Sequence, residues 1–292
     1  MHAMGLVFPA APMIFIWFIV AANYVVHMLL RSEWWSTPVV VIGHALVAEQ
    51  LASFAQCVHT HPGSPPAAWS TTAAMAGDGT IVNGMRVPPR AFYVKRLGTV
   101  VLGFDHYCWW IGGPIGWRNR KFFLQFVLSS AALSGFACVL TAIDLITLVP
   151  GLLPPGLGGE QQPLHAHRSA QYDVLARNSP YGQPMPMMLI ALAFAELRQM
   201  DLGYAMALFA LVGADAVACL LLGGFGLWHV YMILRNRTSM EPPGEEVYDI
   251  GSADNWRQVM GRKWWLWAVP GWLDDAPIGD GMAWPTVEEV SA

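Results

Sequence analysis

The interpretation of this chain starts from the stretch Phe104-Asp105-His106-Tyr107-Cys108-Trp109-Trp110-Ile111, which membrane-length apolar segments flank on both sides. A thiol is a strong nucleophile only as the thiolate, and an ordinary cysteine, with a pKa of about 8.5, is mostly protonated at neutral pH. His106 is placed to take the proton of Cys108, because residues i and i+2 of an extended segment point to the same side. Asp105 can orient the imidazole and stabilise its charged form. The stretch therefore predicts a catalytic group made of Cys108, His106 and Asp105.

The composition indicates a membrane protein. Of the 292 residues, 55% are hydrophobic and only 12% are charged, whereas soluble domains carry about 25% charged residues. A helix needs about 20 mostly apolar residues to cross a bilayer. Four segments satisfy or approach this requirement, and they are 13–30, 38–58, 122–148 and 203–234. The sequence predicts an all-α integral membrane protein with four transmembrane helices.

These spans divide the chain into four parts. They are residues 1–58 with the first two helices, a loop domain over 59–121, residues 122–234 with helices three and four and their connecting loop 149–202, and a tail over 235–292. Lysine and arginine are concentrated in the loop domain and the tail, and positive residues favour the cytosol. We therefore expect the loop domain, the tail and both termini to be cytosolic, and the tail to pack against the membrane. The net charge of −4 argues against nucleic acid as a partner.

Short motifs in a fixed order give the chain a resemblance to a known family. They are His61-Pro62-Gly63, Pro88-Pro89-Arg90-Ala91, Asp105-His106-Tyr107-Cys108 with Asn119, Thr238-Ser239-Met240-Glu241, and Tyr248-Asp249-Ile250-Gly251 with Asn255. With this placement between the spans, the chain resembles the DHHC-type protein S-acyltransferases, the palmitoyltransferases of membranes. The resemblance implies that Cys108 accepts a long-chain acyl group from acyl-CoA and passes it to membrane-proximal cysteines of substrate proteins. It also implies that Asn119, Thr238, Glu241 and Asn255 are structural motif residues.

The implied substrate, a long-chain acyl-CoA, requires an apolar environment for its chain and positive groups for its phosphates near Cys108. A palmitoyl chain is stable only in an apolar groove or in the membrane lipids, at about 0.8 kcal/mol per buried methylene. Arg118, Arg120 and Lys121 are expected to contact the phosphates of CoA. The alternative for these three residues is a positive anchor at the cytosolic membrane surface that binds no ligand. The expected location is an endomembrane, Golgi or ER, rather than the plasma membrane.

The chain departs from this family at the positions of its structural zinc ligands. By spacing, those positions are Thr80, Asn83, Tyr93, Val94, Leu97, Val100, Tyr107 and Pro114. None is cysteine or histidine, so we expect no zinc, no other metal and no permanently bound cofactor. Val94, Leu97, Val100 and Val101 are expected to hold the loop through a small hydrophobic core instead. Trp109 replaces the proline that follows the signature cysteine, which predicts reduced activity.

Two other functions stay open at this point. One is a catalytically inactive membrane scaffold or adaptor that keeps the fold, and the retained Asp105, His106 and Cys108 argue against it. The other is a transporter, which would rest on ionisable residues inside apolar segments, Glu49 and Asp215. Hydrogen bonding between spans is the preferred explanation for those two residues.

Overall fold

The computed structural model of the chain describes residues 20–25, 36–66, 69, 80–82, 85–147, 177, 202–242, 244, 246–271 and 276–291. Its three long helices are α1 (Thr37–His59), α2 (Arg120–Thr147) and α3 (Leu202–Leu234). Each contains a segment long and apolar enough to cross a membrane: Thr37–His59, Arg120–Leu145 and Met206–Leu234. These segments confirm the predicted membrane-length helices at 38–58, 122–148 and 203–234. Most of the first predicted span, 13–30, lies outside the described residues, as does nearly all of the loop 149–202.

The side chains of these helices show the distribution expected in lipid. Leu220, Leu221 and Leu227 of α3 are at least 67% exposed, whereas polar side chains lie inside. The Asn23 side chain donates to Asp215 Oδ1 at 2.9 Å, and Asp215 is fully buried. An intramembrane carboxylate with a protein partner suits the structural explanation for Asp215 better than a solute pathway does.

Contacts divide the chain into two compact units. In terms of the described residues, one unit draws on Ala45–Ala131 and Leu221–Ala292, and the other on Phe18–His44 and Ala132–Leu220. The Asn23–Asp215 pair belongs to the second unit. The Asp105–Cys108 stretch and all the residues expected to act with it belong to the first.

The segment between α1 and α2 contains short antiparallel hairpins, which corrects the all-α prediction. The pairs are β1 (Thr80–Val82) with β2 (Met85–Val87), β3 (Phe92–Val94) with β4 (Thr99–Val101), and β5 (His106–Cys108) with β6 (Gly113–Ile115). Valines and aromatic residues in β3 and β4 favour the extended backbone. Gly98 and Gly112 have φ angles of 63° and 73° in the connections of the last two hairpins, a conformation that glycine adopts at little cost.

A hydrophobic cluster packs beneath these hairpins. Val94, Val101 and Phe104 are buried, and Leu97 and Tyr107 pack against them. The predicted core is confirmed for Val94, Leu97 and Val101, whereas Val100 is only half-buried and lies outside the cluster. Hydrocarbon side chains offer zinc no ligand atom, so the positions of this cluster do not fit the structural zinc sites of the resembled family.

The tail packs on the spans through polar side chains that bind backbone carbonyls. It contains α4 (Ser252–Met260), a 3₁₀ turn (Trp264–Leu266) and α5 (Val287–Ser291). Asn255 donates to the carbonyl of Leu234 at the end of α3, at 2.8 Å. Lys121, in the first turn of α2, donates to the carbonyls of Leu266 and Gly271 at 3.0 and 3.1 Å. These contacts attach the tail to the start of α2 and the end of α3.

The hairpin cluster generates a prediction about stability. Val101→Ala removes two fully buried methyl groups, and we expect it to lower the free energy of unfolding by about 2 kcal/mol. Val100→Ala, its half-buried neighbour, serves as the matched control and should cost clearly less. Thermal unfolding of the purified full chain measures both, with and without EDTA. A lower melting temperature in EDTA would contradict a loop held by hydrophobic packing alone.

Candidate active site

Strand β5 brings the three residues predicted from sequence together. Asp105 directly precedes the strand, and His106 and Cys108 are its first and last residues. His106 Nδ1 lies 2.7 Å from Asp105 Oδ2, and the Cys108 side chain also interacts electrostatically with the imidazole. Cys108 is 4% exposed, within an apolar cluster that includes Phe123 and Phe126. The i, i+2 geometry expected of an extended segment is thus present.

Asp105 is the most heavily contacted member of the group. Its side chain is fully buried and accepts hydrogen bonds from the Ser239 hydroxyl at 2.8 Å and the Ser239 N–H at 3.2 Å. The guanidinium of Arg120 lies 3.3 Å from Oδ1. Burial alone would raise the pKa of Asp105, but Arg120 and the hydrogen bond from His106 outweigh burial and hold it well below its usual range. Asp105 is therefore a carboxylate throughout the physiological pH range.

This carboxylate controls the charge on His106. Burial lowers the pKa of His106, but the hydrogen bond to Asp105 and the interaction with Cys108 have the larger combined effect and raise it to about 9. At neutral pH the ring is consequently an imidazolium. Cysteine reacts as the thiolate, and a neighbouring imidazolium is one of the groups that favour that form. The site therefore places a charged imidazole beside the Cys108 side chain.

The segment that follows α3 presents Ser239 to Asp105. Arg90, whose side chain is 2% exposed, forms an ion pair with Glu241 and donates to the Asn236 side chain and carbonyl at 2.9 and 2.7 Å. Glu241 also accepts from the N–H of Thr238 at 2.9 Å. The two motifs that contain Arg90 and Glu241 therefore fix one turn of backbone, and Ser239 points from that turn to Asp105.

Asn119 joins the β5–β6 hairpin to the end of α1. Its side-chain oxygen Oδ1 accepts from the N–H of Gly116 at 2.8 Å, and its side-chain NH₂ group donates to the backbone carbonyls of Pro114 and Cys57 at 3.1 and 3.4 Å. A Cβ at Gly116 would approach Val101 Cγ1 to 2.7 Å, so the backbone there is packed too closely for a larger residue. A cavity of about 230 Å³ lies beside this joint, lined among others by Cys57 and Asn119.

The three basic residues predicted to bind phosphate differ in their placement. Arg120 is 4% exposed, donates to the carbonyl of Arg237 and faces Asp105. Lys121 is fully buried and binds the tail carbonyls. Both Arg120 and Lys121 already interact with groups inside the protein, so they are poorly placed for the predicted phosphate contacts. Arg118 is exposed and is the member of this set accessible to a ligand.

Two contributors to the site were missed in the sequence. Ser239 stood inside a recognised motif, but only the structure connects it with Asp105. His229, on α3, is buried with Nδ1 3.9 Å from Asp105 Oδ2 and its ring 5.6 Å from that of His106. The available signal for His229 was its position in an apolar segment, where a polar side chain is costly unless it has a purpose.

Comparisons with known proteins agree on one group. A family model described as DHHC palmitoyltransferase matches residues 82–153. The chain is similar to a probable palmitoyltransferase ZDHHC24 of Mus musculus, at 30% identity over 207 residues, or 70% of this chain and 63% of that protein. It is 25% identical over 277 residues to a probable protein S-acyltransferase 12 of Arabidopsis thaliana, which covers 86% of this chain and 80% of that protein. It is 23% identical over 227 residues to a palmitoyltransferase PFA3 of Yarrowia lipolytica, which covers 70% of this chain and 48% of that protein. The chain thus spans less than two thirds of the mouse and yeast relatives.

The dependence of His106 on Asp105 generates a prediction. Asp105→Asn removes the carboxylate, so the pKa of His106 should fall towards the ordinary value of about 6.5. The imidazolium would then be lost near neutral pH instead of near pH 9. We expect alkylation of Cys108 by iodoacetamide at pH 7.5 to slow about tenfold, as measured by peptide mass spectrometry across a pH series.

Asp254→Asn is the matched control for this substitution. Asp254 is an exposed carboxylate that pairs with Arg257 on α4, so its removal should leave Cys108 reactivity unchanged. Equal alkylation rates for Asp105→Asn and the wild-type protein would contradict the assigned electrostatics.

Proposed function

We propose that this chain is a protein S-acyltransferase of the DHHC palmitoyltransferase family, as the family model over residues 82–153 and the names of its relatives support. It moves a long-chain acyl group, palmitoyl, from acyl-CoA to Cys108 and then to cysteines of substrate proteins. The observation that carries the proposal is the grouping of Asp105, His106 and Cys108, in which Asp105 is hydrogen-bonded to His106 and the central imidazole is charged at neutral pH. An inactive scaffold would have no use for a buried carboxylate that keeps an imidazolium beside a thiol.

The first step loads the protein. The Cys108 thiolate attacks the thioester carbonyl carbon of acyl-CoA, and the bond from that carbon to the CoA sulfur breaks. His106 gives its proton to the departing CoA thiolate, so CoA leaves as a thiol and His106 becomes neutral. Asp105 holds the ring in position throughout.

The second step transfers the acyl group from Cys108 to the substrate protein. The thiol of an acceptor cysteine gives its proton to His106 as its sulfur attacks the acyl group on Cys108, and Cys108 leaves as the thiolate. The resting charges are thereby restored. One thioester replaces another, so the energy change is small and catalysis rests on positioning and on the thiolate.

The surroundings of Cys108 suit a lipid substrate. The cluster around the sulfur is built from phenylalanines and aliphatic residues at the start of α2 and the end of α1. A sixteen-carbon chain gains roughly 12 kcal/mol from leaving water, so the acyl chain extends from this cluster into the membrane-spanning region. Trp109 and Trp110 are 54% and 44% exposed, and we assign them to the membrane interface. Arg118 is the proposed contact for the CoA phosphates.

The proposal also includes a membrane topology and a location for the protein. Residues 13–30 are the additional membrane span, the loop domain 59–121 and the tail 235–292 are cytosolic, and the protein resides in an endomembrane. The hydrophobic cluster at Val94 and Val101 supports a loop domain that holds no zinc. The partners are acyl-CoA, membrane lipids and substrate proteins whose cysteines lie close to the membrane.

Loading with acyl-CoA tests the function directly. Purified full-length protein incubated with alkyne-labelled palmitoyl-CoA should acquire a hydroxylamine-labile label, and Cys108→Ser should reduce it at least a hundredfold because the nucleophile is absent. Cys219→Ser, which removes a half-buried thiol of α3, is the matched control and should load like the wild-type protein.

The inactive scaffold predicts the opposite outcome. In that case the wild-type protein takes up no label from acyl-CoA that an active acyltransferase accepts in the same assay. Label that persists in Cys108→Ser would contradict the assignment of Cys108 as the residue that accepts the acyl group.

A further inference from the structure

His229, on α3, lies against Asp105 and His106. Its imidazole is 3% exposed, and Nδ1 is 3.9 Å from Asp105 Oδ2. That separation is longer than a hydrogen bond, so in this state the contact is electrostatic. Asp105 Oδ2 already accepts from His106 and from the Ser239 hydroxyl, which leaves His229 as an additional polar group within reach of the same oxygen.

Aromatic packing holds His229 in this position. The rings of Phe123 and Phe225 contact it edge-on, with centroids 4.9 and 4.6 Å away. Phe123 also makes an edge-on contact with His106, at 5.0 Å. One phenylalanine thus orients both imidazoles, and such edge-on pairs are stabilising by themselves. The two phenylalanines thus fix the position of the His229 ring beside the buried carboxylate of Asp105.

The charge balance of the site changes during the proposed reaction. At rest the buried Asp105 carboxylate has two cationic neighbours, Arg120 at 3.3 Å and the His106 imidazolium at 2.7 Å. When His106 passes its proton to CoA, one of these positive charges disappears. A buried carboxylate that loses a compensating charge is destabilised. An N–H of His229 is the group nearest to supply a new interaction.

We propose that His229 is a positioning residue that stabilises the Asp105 carboxylate in the step where His106 has given up its proton. The proposal rests on the S-acyltransferase function above. It predicts that without His229 the neutral form of His106 is disfavoured. His106 then keeps its proton to higher pH and delivers it to CoA more slowly.

Among the residues that the structure describes, the charged or titratable groups around His106 are few, so a change in its titration can be assigned. They are Asp105 before β5, Cys108 at the end of β5, Arg120 on α2 and His229 on α3. In the segment after α3, Glu241 is paired with Arg90, and the Arg237 guanidinium donates to the carbonyls of Glu241 and Pro242.

Two substitutions separate the nitrogen of His229 from its packing. His229→Phe keeps an aromatic ring between Phe123 and Phe225 but removes the N–H, whereas His229→Gln keeps an N–H donor and removes the ring. The full-length variants are compared in single-turnover loading with palmitoyl-CoA from pH 6 to 10. We expect His229→Phe to load about tenfold more slowly at pH 7.5, with the alkaline limit of activity raised by about half to one pH unit. His229→Gln should recover most of the rate, with an alkaline limit near that of the wild-type protein.

The controls keep the outcomes distinct. Trp228→Phe alters a neighbouring side chain on α3 that is 52% exposed and should change neither rate nor profile. His229→Leu replaces His229→Phe if the latter does not fold, as judged by thermal unfolding. A slower variant whose alkaline limit coincides with the wild-type value would overturn the proposal, and so would a glutamine variant as impaired as the phenylalanine variant. A wild-type protein that does not load at all would instead refute the acyltransferase function.

Discussion

The structure of the site depends on the negative charge of Asp105, which is fully removed from water. A buried carboxylate is stable only if nearly every direction around it supplies a hydrogen bond or a positive charge. Here those groups come from separate parts of the chain: His106 on β5, Arg120 on α2, and Ser239 after α3. The requirement to satisfy one anion thus brings strand β5, the start of α2 and the segment after α3 to a common point.

Hydrophobic packing and further polar contacts also hold the hairpins in position. The cluster around Val101 gives the hairpins a core of their own. Polar contacts then fix that core to the spans, through Asn119 on one side and the Arg90–Glu241 ion pair on the other. Rigidity comes from the sum of hydrophobic packing and buried hydrogen bonds, and each of these is worth only about 1–3 kcal/mol.

The sequence was most informative where the signal is local. The placement of His106 and Cys108 on one side follows from the geometry of residues i and i+2 in an extended strand, and the membrane-length helices follow from runs of apolar residues. The hairpins were not predicted, because strands of three residues are too short for an alternating pattern to be recognised. The directions of Arg120 and Lys121 were not predictable either. Their acceptors lie more than 100 residues away along the chain, and only tertiary packing brings them close.

The carbonyl contacts of Lys121 have a consequence for the order in which the protein is made. Lys121 emerges from the ribosome well before Leu266 and Gly271, the residues whose carbonyls it binds. Until those residues are synthesised, a charged ammonium at the head of α2 has none of these acceptors, and water is its natural surrounding. Ser239 likewise reaches Asp105 only late in translation. The site can therefore close only after α3 and the segments that follow it have been made.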